Sequence, residues 1–151
     1  MTEERYFEDY IPGTVSEYGK IRVDEAEVLD FARKFDPHDM HVDPEAAKRG
    51  RFGGLIASGW HTGAMMMRLL ADNFLPKGAS LASPGIDELR WLRPVRPGDV
   101  LRIRVLVLEA TPSRSKPDRG MVRTLVEVLN QDGKIVMSLN PMNIIARRSD
   151  T

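Results

Sequence analysis

The segment FDPHDMHVDPEAA, Phe35 to Ala47, holds four acids and two of the chain's three histidines. A carboxylate and an imidazole poised around one water or substrate proton are the groups general acid–base chemistry needs, because their unperturbed pKa values differ and each can be tuned toward neutrality. Asp36 and His41 are the pair of interest. They stand five positions apart. On a continuous helix that spacing sets them about 140° apart in azimuth, and in an extended strand about 17 Å apart. Neither geometry lets them share a ligand. Pro37 biases the residue before it away from helix, so a turn through Pro37, His38 and Asp39 would bring both side chains over one point. The same residues also admit plainer roles. Acids between two helices cap the second, as Asp43 is suited to do, and His38 and Asp39 read equally well as solvated or ion-paired groups. Spacing alone leaves capping and catalysis both open. A metal centre is a third reading, but no further strong ligand stands at recognisable spacing, and none is expected.

The elements that must position this segment follow from periodicity. After YIPGT, the stretch VSEYGKIRV reads as a strand, and VDEAEVLDFARKFD switches to helical spacing with Val28, Phe31, Ala32 and Phe35 on one face. Asp24 followed by Glu27 marks the helix start, and Pro37 ends it near Asp36. Asp43-Pro44 opens a second, short helical turn. Gly53 and Gly54 mark a turn, Ser58 can cap, and Gly59 to about Phe74 reads as a helix apolar nearly all round, so other elements must surround it. The second half supplies them. GIDELRWLRPV and DVLRIRVLVLEATPS are strand-like and separated by the turn RPGD; two further strands follow, joined around Asp132-Gly133. A long central helix wrapped by an antiparallel sheet, an α+β fold, is the natural solution.

At 151 residues the chain has the length of one domain, read here as spanning 1–151. Lysines and arginines number 22 against 22 acids, so no global field recruits nucleic acid or an anionic membrane. With no cysteine there are no disulfides and no thiol nucleophile. The start MTEERYFEDY lacks the pattern of a secretory signal, and no apolar stretch is long enough to span a bilayer. A soluble cytoplasmic protein is the expectation.

The run Asp36-Pro37-His38-Asp39-Met40-His41, followed by VDPEAA and then RFGGLIASGWHT, resembles the MaoC-like dehydratase family, which includes (R)-specific enoyl-CoA hydratases. The likeness extends through LRWLRPVRPGDVL and back to FEDYIPGTV. It implies the hot-dog fold, in which an antiparallel sheet wraps one long helix, in agreement with the periodicity. The family's motif has an aspartate, an asparagine followed by a proline, and a histidine five residues after the aspartate. Asp36 and His41 fall on the acid and the histidine. His38 stands at the asparagine position and Asp39 at the proline position, a departure in which a ring nitrogen of His38 would take over the asparagine's part in placing the dyad or the substrate.

The resemblance implies an acyl-CoA hydratase or dehydratase that adds water reversibly to a 2-enoyl-CoA thioester. Asp36 and His41 would hold the water, while Gly59, at the tip of the central helix, would lend its N–H to the thioester oxygen. Coenzyme A enters as part of the substrate, and no separate cofactor is expected. The resemblance further implies a homo-oligomer, at least a dimer. An acyl-CoA-binding module without turnover is the alternative, and a thioesterase is disfavoured because GWHTGAMMMRLLA has no carboxylate before Asp72. His61 reads as structural or as pocket wall. Met65 to Met67, Trp60 and Trp91 read as core, pocket lining or subunit contact, and Arg90, Arg93 and Arg96 carry no assigned role.

Overall fold

A computed structural model describes residues 4–149 of the chain. A 3-10 turn at Phe7–Asp9 precedes strand β1 (Val15–Arg22) and helix α1 (Glu25–Phe35), followed by the short helices α2 (Asp39–Val42) and α3 (Pro44–Arg49). The long helix α4 (Gly59–Asn73) leads into four strands: β2 (Ser80–Trp91), β3 (Val100–Pro112), β4 (Arg119–Leu129) and β5 (Ile135–Ala146). All pairings are antiparallel, in the order β1-β3-β4-β5-β2. Strands β2 and β3 flank the turn at Arg96–Asp99 yet lie far apart in the sheet, because β4 and β5 fill the space between them.

Side-chain alternation decides which sheet face is covered. In β3 the residues Leu101, Ile103, Val105 and Val107 are buried, while Arg102 and Arg104 face outward, as period-two geometry requires. Helix α4 lays Met65, Met66, Leu69 and Leu70 against that face. Burying each such side chain contributes roughly 1.5–3 kcal/mol. The expectation of a helix enclosed on all sides needs correction. Trp60, Ala64, Met67, Arg68 and Ala71 are exposed, because the single sheet curls around only one side of α4. Tyr10 ties down the far end of α4, its hydroxyl donating to the Phe74 carbonyl at 2.5 Å. No helix among the described residues is long and apolar enough to cross a membrane.

Helix α1 starts and stops where the sequence says. Asp24 accepts the Glu27 N–H at 3.1 Å, and the chain leaves helical geometry at Asp36, just before Pro37. Val28 and Ala32 are fully buried. Phe35, expected on the same face, is instead 72% exposed: it is the last residue before the bend, and its ring lies 5.2 Å from that of Phe31. The one-turn helix α2 was not foreseen, and it is the element that carries His41.

Candidate active site

Three pieces of chain meet at one place: the bend after α1, helix α2 and the start of α4. At the bend, the His38 N–H donates to the Asp36 carbonyl at 2.9 Å, and α2 then turns His41 back toward Asp36. His41 Nε2 lies 3.4 Å from Asp36 Oδ2. The strand-like approach to α4 supports this arrangement from below, since the Ile56 N–H donates to the Met40 carbonyl at 3.0 Å and the Ala57 N–H to the Val95 carbonyl at 2.8 Å.

The buried His41 donates its Nδ1–H to the Ile56 carbonyl at 2.8 Å. That bond places a proton on Nδ1 and leaves Nε2 as the ring nitrogen that faces the carboxylate. Asp36 accepts the Ser58 hydroxyl on Oδ2 at 2.7 Å and the His38 Nδ1–H on Oδ1. The Ser58 hydrogen bond is the largest influence holding the Asp36 carboxyl below the usual 3.8; burial opposes it, and the two histidines assist. Asp36 is therefore ionised at neutral pH. A carboxylate oxygen and an imidazole nitrogen thus face one another, two acceptors whenever the ring is neutral. A hydroxyl or a water that donates to both is the natural bridge.

These groups wall a cleft of about 400 Å³, which Gly59, Trp60, Trp91 and Arg93 also line. Gly59 occupies the first helical position of α4, where the N–H has no intrahelical acceptor. Its missing side chain has a cause the sequence did not show. A Cβ built there would lie 2.5–2.8 Å from the Trp91 indole, which occupies that space, so the glycine admits a tryptophan of the protein itself.

Of the residues singled out by sequence, Asp36, His41 and Gly59 come together on one cleft. His38 does not join them. It is 72% exposed and grips the outer oxygen of Asp36, beside a separate hollow lined by Asp39, Met40 and Arg51. His61 is buried behind the site, stacked on Phe31 at 4.8 Å. Arg96 is held by the Phe52 carbonyl and Arg90 pairs with Glu88 at 3.0 Å, so of the three arginines Arg93 is the one on the cleft. Sequence reading recognised Ser58 only as a cap. It does accept the Trp60 N–H at 3.3 Å, but its hydroxyl proton goes to Asp36. Among the described residues, no group of three or more His, Asp or Glu is arranged to hold a metal ion.

Residues 7–130 match the family model described as MaoC like domain. The chain belongs to the MaoC-like dehydratase family. A crystal structure of a MaoC-like dehydratase from Rhodospirillum rubrum is 39% identical and superposes with a TM-score of 0.86, covering 96% of this chain and 99% of that one. The 3-hydroxyacyl-thioester dehydratase Z of Mycobacterium tuberculosis is 33% identical over 110 residues, 72% of this chain and 73% of its own. The R-hydratase PhaJ1 of Pseudomonas aeruginosa, in its unliganded form, is 28% identical with a TM-score of 0.73, covering 97% and 88%. This MaoC-like chain has the α+β hot-dog fold of those neighbours, and its family contains hydratases and 3-hydroxyacyl dehydratases.

Proposed function

We propose that this MaoC-like protein catalyses the reversible addition of water to a 2-enoyl-CoA thioester. The observation that carries the reading is the Asp36 carboxylate facing His41 Nε2 across 3.4 Å, on the wall of a cleft that also holds the tip of α4. The family's hydratases and dehydratases support it.

A water lodged between the two acceptors gives one O–H to His41 Nε2 and the other to Asp36. Its oxygen lone pair is then turned toward the cleft. As the C–O bond forms at C3, a proton passes to the pair, and a proton returns to C2, so hydration leaves the enzyme unchanged; dehydration runs both steps backward. Negative charge gathers on the thioester oxygen during the reaction. The Gly59 N–H, at the positive end of the α4 dipole, is the donor for it. His38, just outside the cleft lining, serves by holding the Asp36 carboxylate rather than by touching substrate.

A homodimer fits the same reading. Strand β2 pairs with β5 alone among the described residues, and Leu81, Ile86 and Trp91 are exposed along it, which suits a second copy meeting it at that edge. Light scattering on the purified protein gives the mass directly.

The test of the reaction is a panel of 2-enoyl-CoA thioesters of increasing chain length, assayed with wild type, Asp36→Asn and His41→Ala. Either substitution is expected to remove most hydration while leaving the circular dichroism spectrum unchanged. Near-full rate in both variants would defeat the assignment. Tight acyl-CoA binding without Asp36-dependent turnover would instead favour the non-catalytic binding module.

A further inference from the structure

We infer that Trp91 is a positioning residue for the Gly59 N–H, setting the donor that polarises the thioester; the inference rests on the hydratase reading. A glycine is a poor place for a preorganised donor, because its backbone torsions are the least restricted of any residue. The structure removes that freedom from both sides. The preceding peptide is fixed by the Ser58 carbonyl, which accepts the N–H groups of His61 and Thr62, each at 3.0 Å. The following peptide is fixed at both ends. Its N–H, from Trp60, donates to Ser58 Oγ at 3.3 Å, and its carbonyl, from Gly59, accepts the Trp91 indole N–H at 2.9 Å.

Trp91 is itself well anchored. It ends β2 opposite Met137 of β5, and the next N–H, of Leu92, donates to the Val136 carbonyl at 2.8 Å. Its ring meets Trp60 edge to face at 5.0 Å and fills the space where a Gly59 Cβ would stand. The rigid sheet thereby sets the tip of the helix that packs on it. A donor aimed at developing charge acts on the transition state more than on the bound ground state, so its misplacement lowers kcat and leaves KM nearly unchanged.

Trp91→Phe keeps a flat ring against Gly59 and deletes the N–H. The expected result is a kcat roughly five- to tenfold lower, the loss of one neutral hydrogen bond, with KM within about twofold of wild type. A conjugated 2,4-dienoyl-CoA bound to Asp36→Asn supplies a spectroscopic reading of carbonyl polarisation. Its absorbance shift to the red is expected to shrink when Trp91→Phe is added. Packing is tested separately through Gly59→Ala, whose loss of thermal stability is expected to be smaller in a Trp91→Ala background than in wild type. Wild-type kcat in Trp91→Phe, or a loss confined to KM, overturns the inference while Asp36-dependent turnover keeps the hydratase reading intact. Equal destabilisation by Gly59→Ala in both backgrounds likewise overturns the close-packing half of it. Absence of any Asp36-dependent turnover in wild type sinks the reading and this inference together.

Discussion

The two oxygens of Asp36 have different partners, and that difference sets its chemistry. Oδ1 is gripped by the exposed His38, whereas Oδ2 takes the Ser58 hydroxyl and faces His41. Donors to a carboxylate stabilise its charged form, and Ser58 is the larger of the two influences. Base action requires ionised Asp36, so activity falls as pH drops through its pKa. Ser58→Ala removes the main donor and raises that pKa. The acid limb of the kcat/KM profile is expected to move to higher pH, by about one to two pH units for the loss of a charge-assisted hydrogen bond of about 1.5–3 kcal/mol, with the rate on the neutral plateau largely kept. His38→Ala is expected to move the same limb in the same direction by less. A pH profile in which His38→Ala shifts the limb further than Ser58→Ala would reverse this order of influence.

At the level of elements, the site depends on how α1, α2 and α3 are separated. Pro37 stops α1 and permits the bend, and α2 supplies the single turn that swings His41 back. Asp43 then starts α3, its carboxylate accepting the N–H groups of Glu45 and Ala46, both at 3.1 Å. Losing such a cap costs about 1 kcal/mol. Asp43→Ala is therefore expected to lower Tm by about 2–4 °C for a chain of this size, measured by thermal melting. The sequence made both helix starts and the stop at Asp36 visible, because caps and proline act within a few residues. It did not reveal α2, since four residues are too few to show a period. Nor did it show the exposure of Phe35, which depends on where the bend carries the chain afterward.

For the whole molecule, acid stability turns on a histidine outside the proposed chemistry. His61 projects from α4 onto the Phe31 ring of α1, its Nδ1 has no hydrogen-bond partner among the described residues, and Glu27, Asp30 and Lys34 line the shallow groove beside it. Burial lowers its pKa from the ordinary 6.5, with nearby Glu27 acting weakly in the other direction. As pH falls below 6.5 the unfolded chain takes up this proton before the folded one does. The folded state therefore loses stability in that range, and the His61 contribution is complete above it. Asp36 adds a second loss at lower pH, below its ordinary 3.8, because its folded pKa is depressed and the unfolded chain again binds the proton first. His61→Phe keeps a ring against Phe31 and is expected to shrink the fall in urea midpoint between about pH 7.5 and about pH 5.5. An unchanged fall would show that another group controls the acid limb.

Local chemistry was enough to read β3 to β5, the hairpin at Asp132-Gly133, the bounds of α4 and the candidacy of Asp36 and His41, while β2, read as 85–95, runs Ser80–Trp91. Alternation, glycine turns, caps and a proline all act over a few positions. Gly133 takes φ +73 at that hairpin, as its turn requires. The order of the strands, the exposed side of α4, the placement of His38 outside the cleft and the partnership of Gly59 with Trp91 were decided by tertiary structure. Each depends on residues far apart in the chain and brought together by packing. Ser58 and Asp36 lie 22 positions apart and Gly59 and Trp91 lie 32 apart, and no periodicity within one element encodes such a contact.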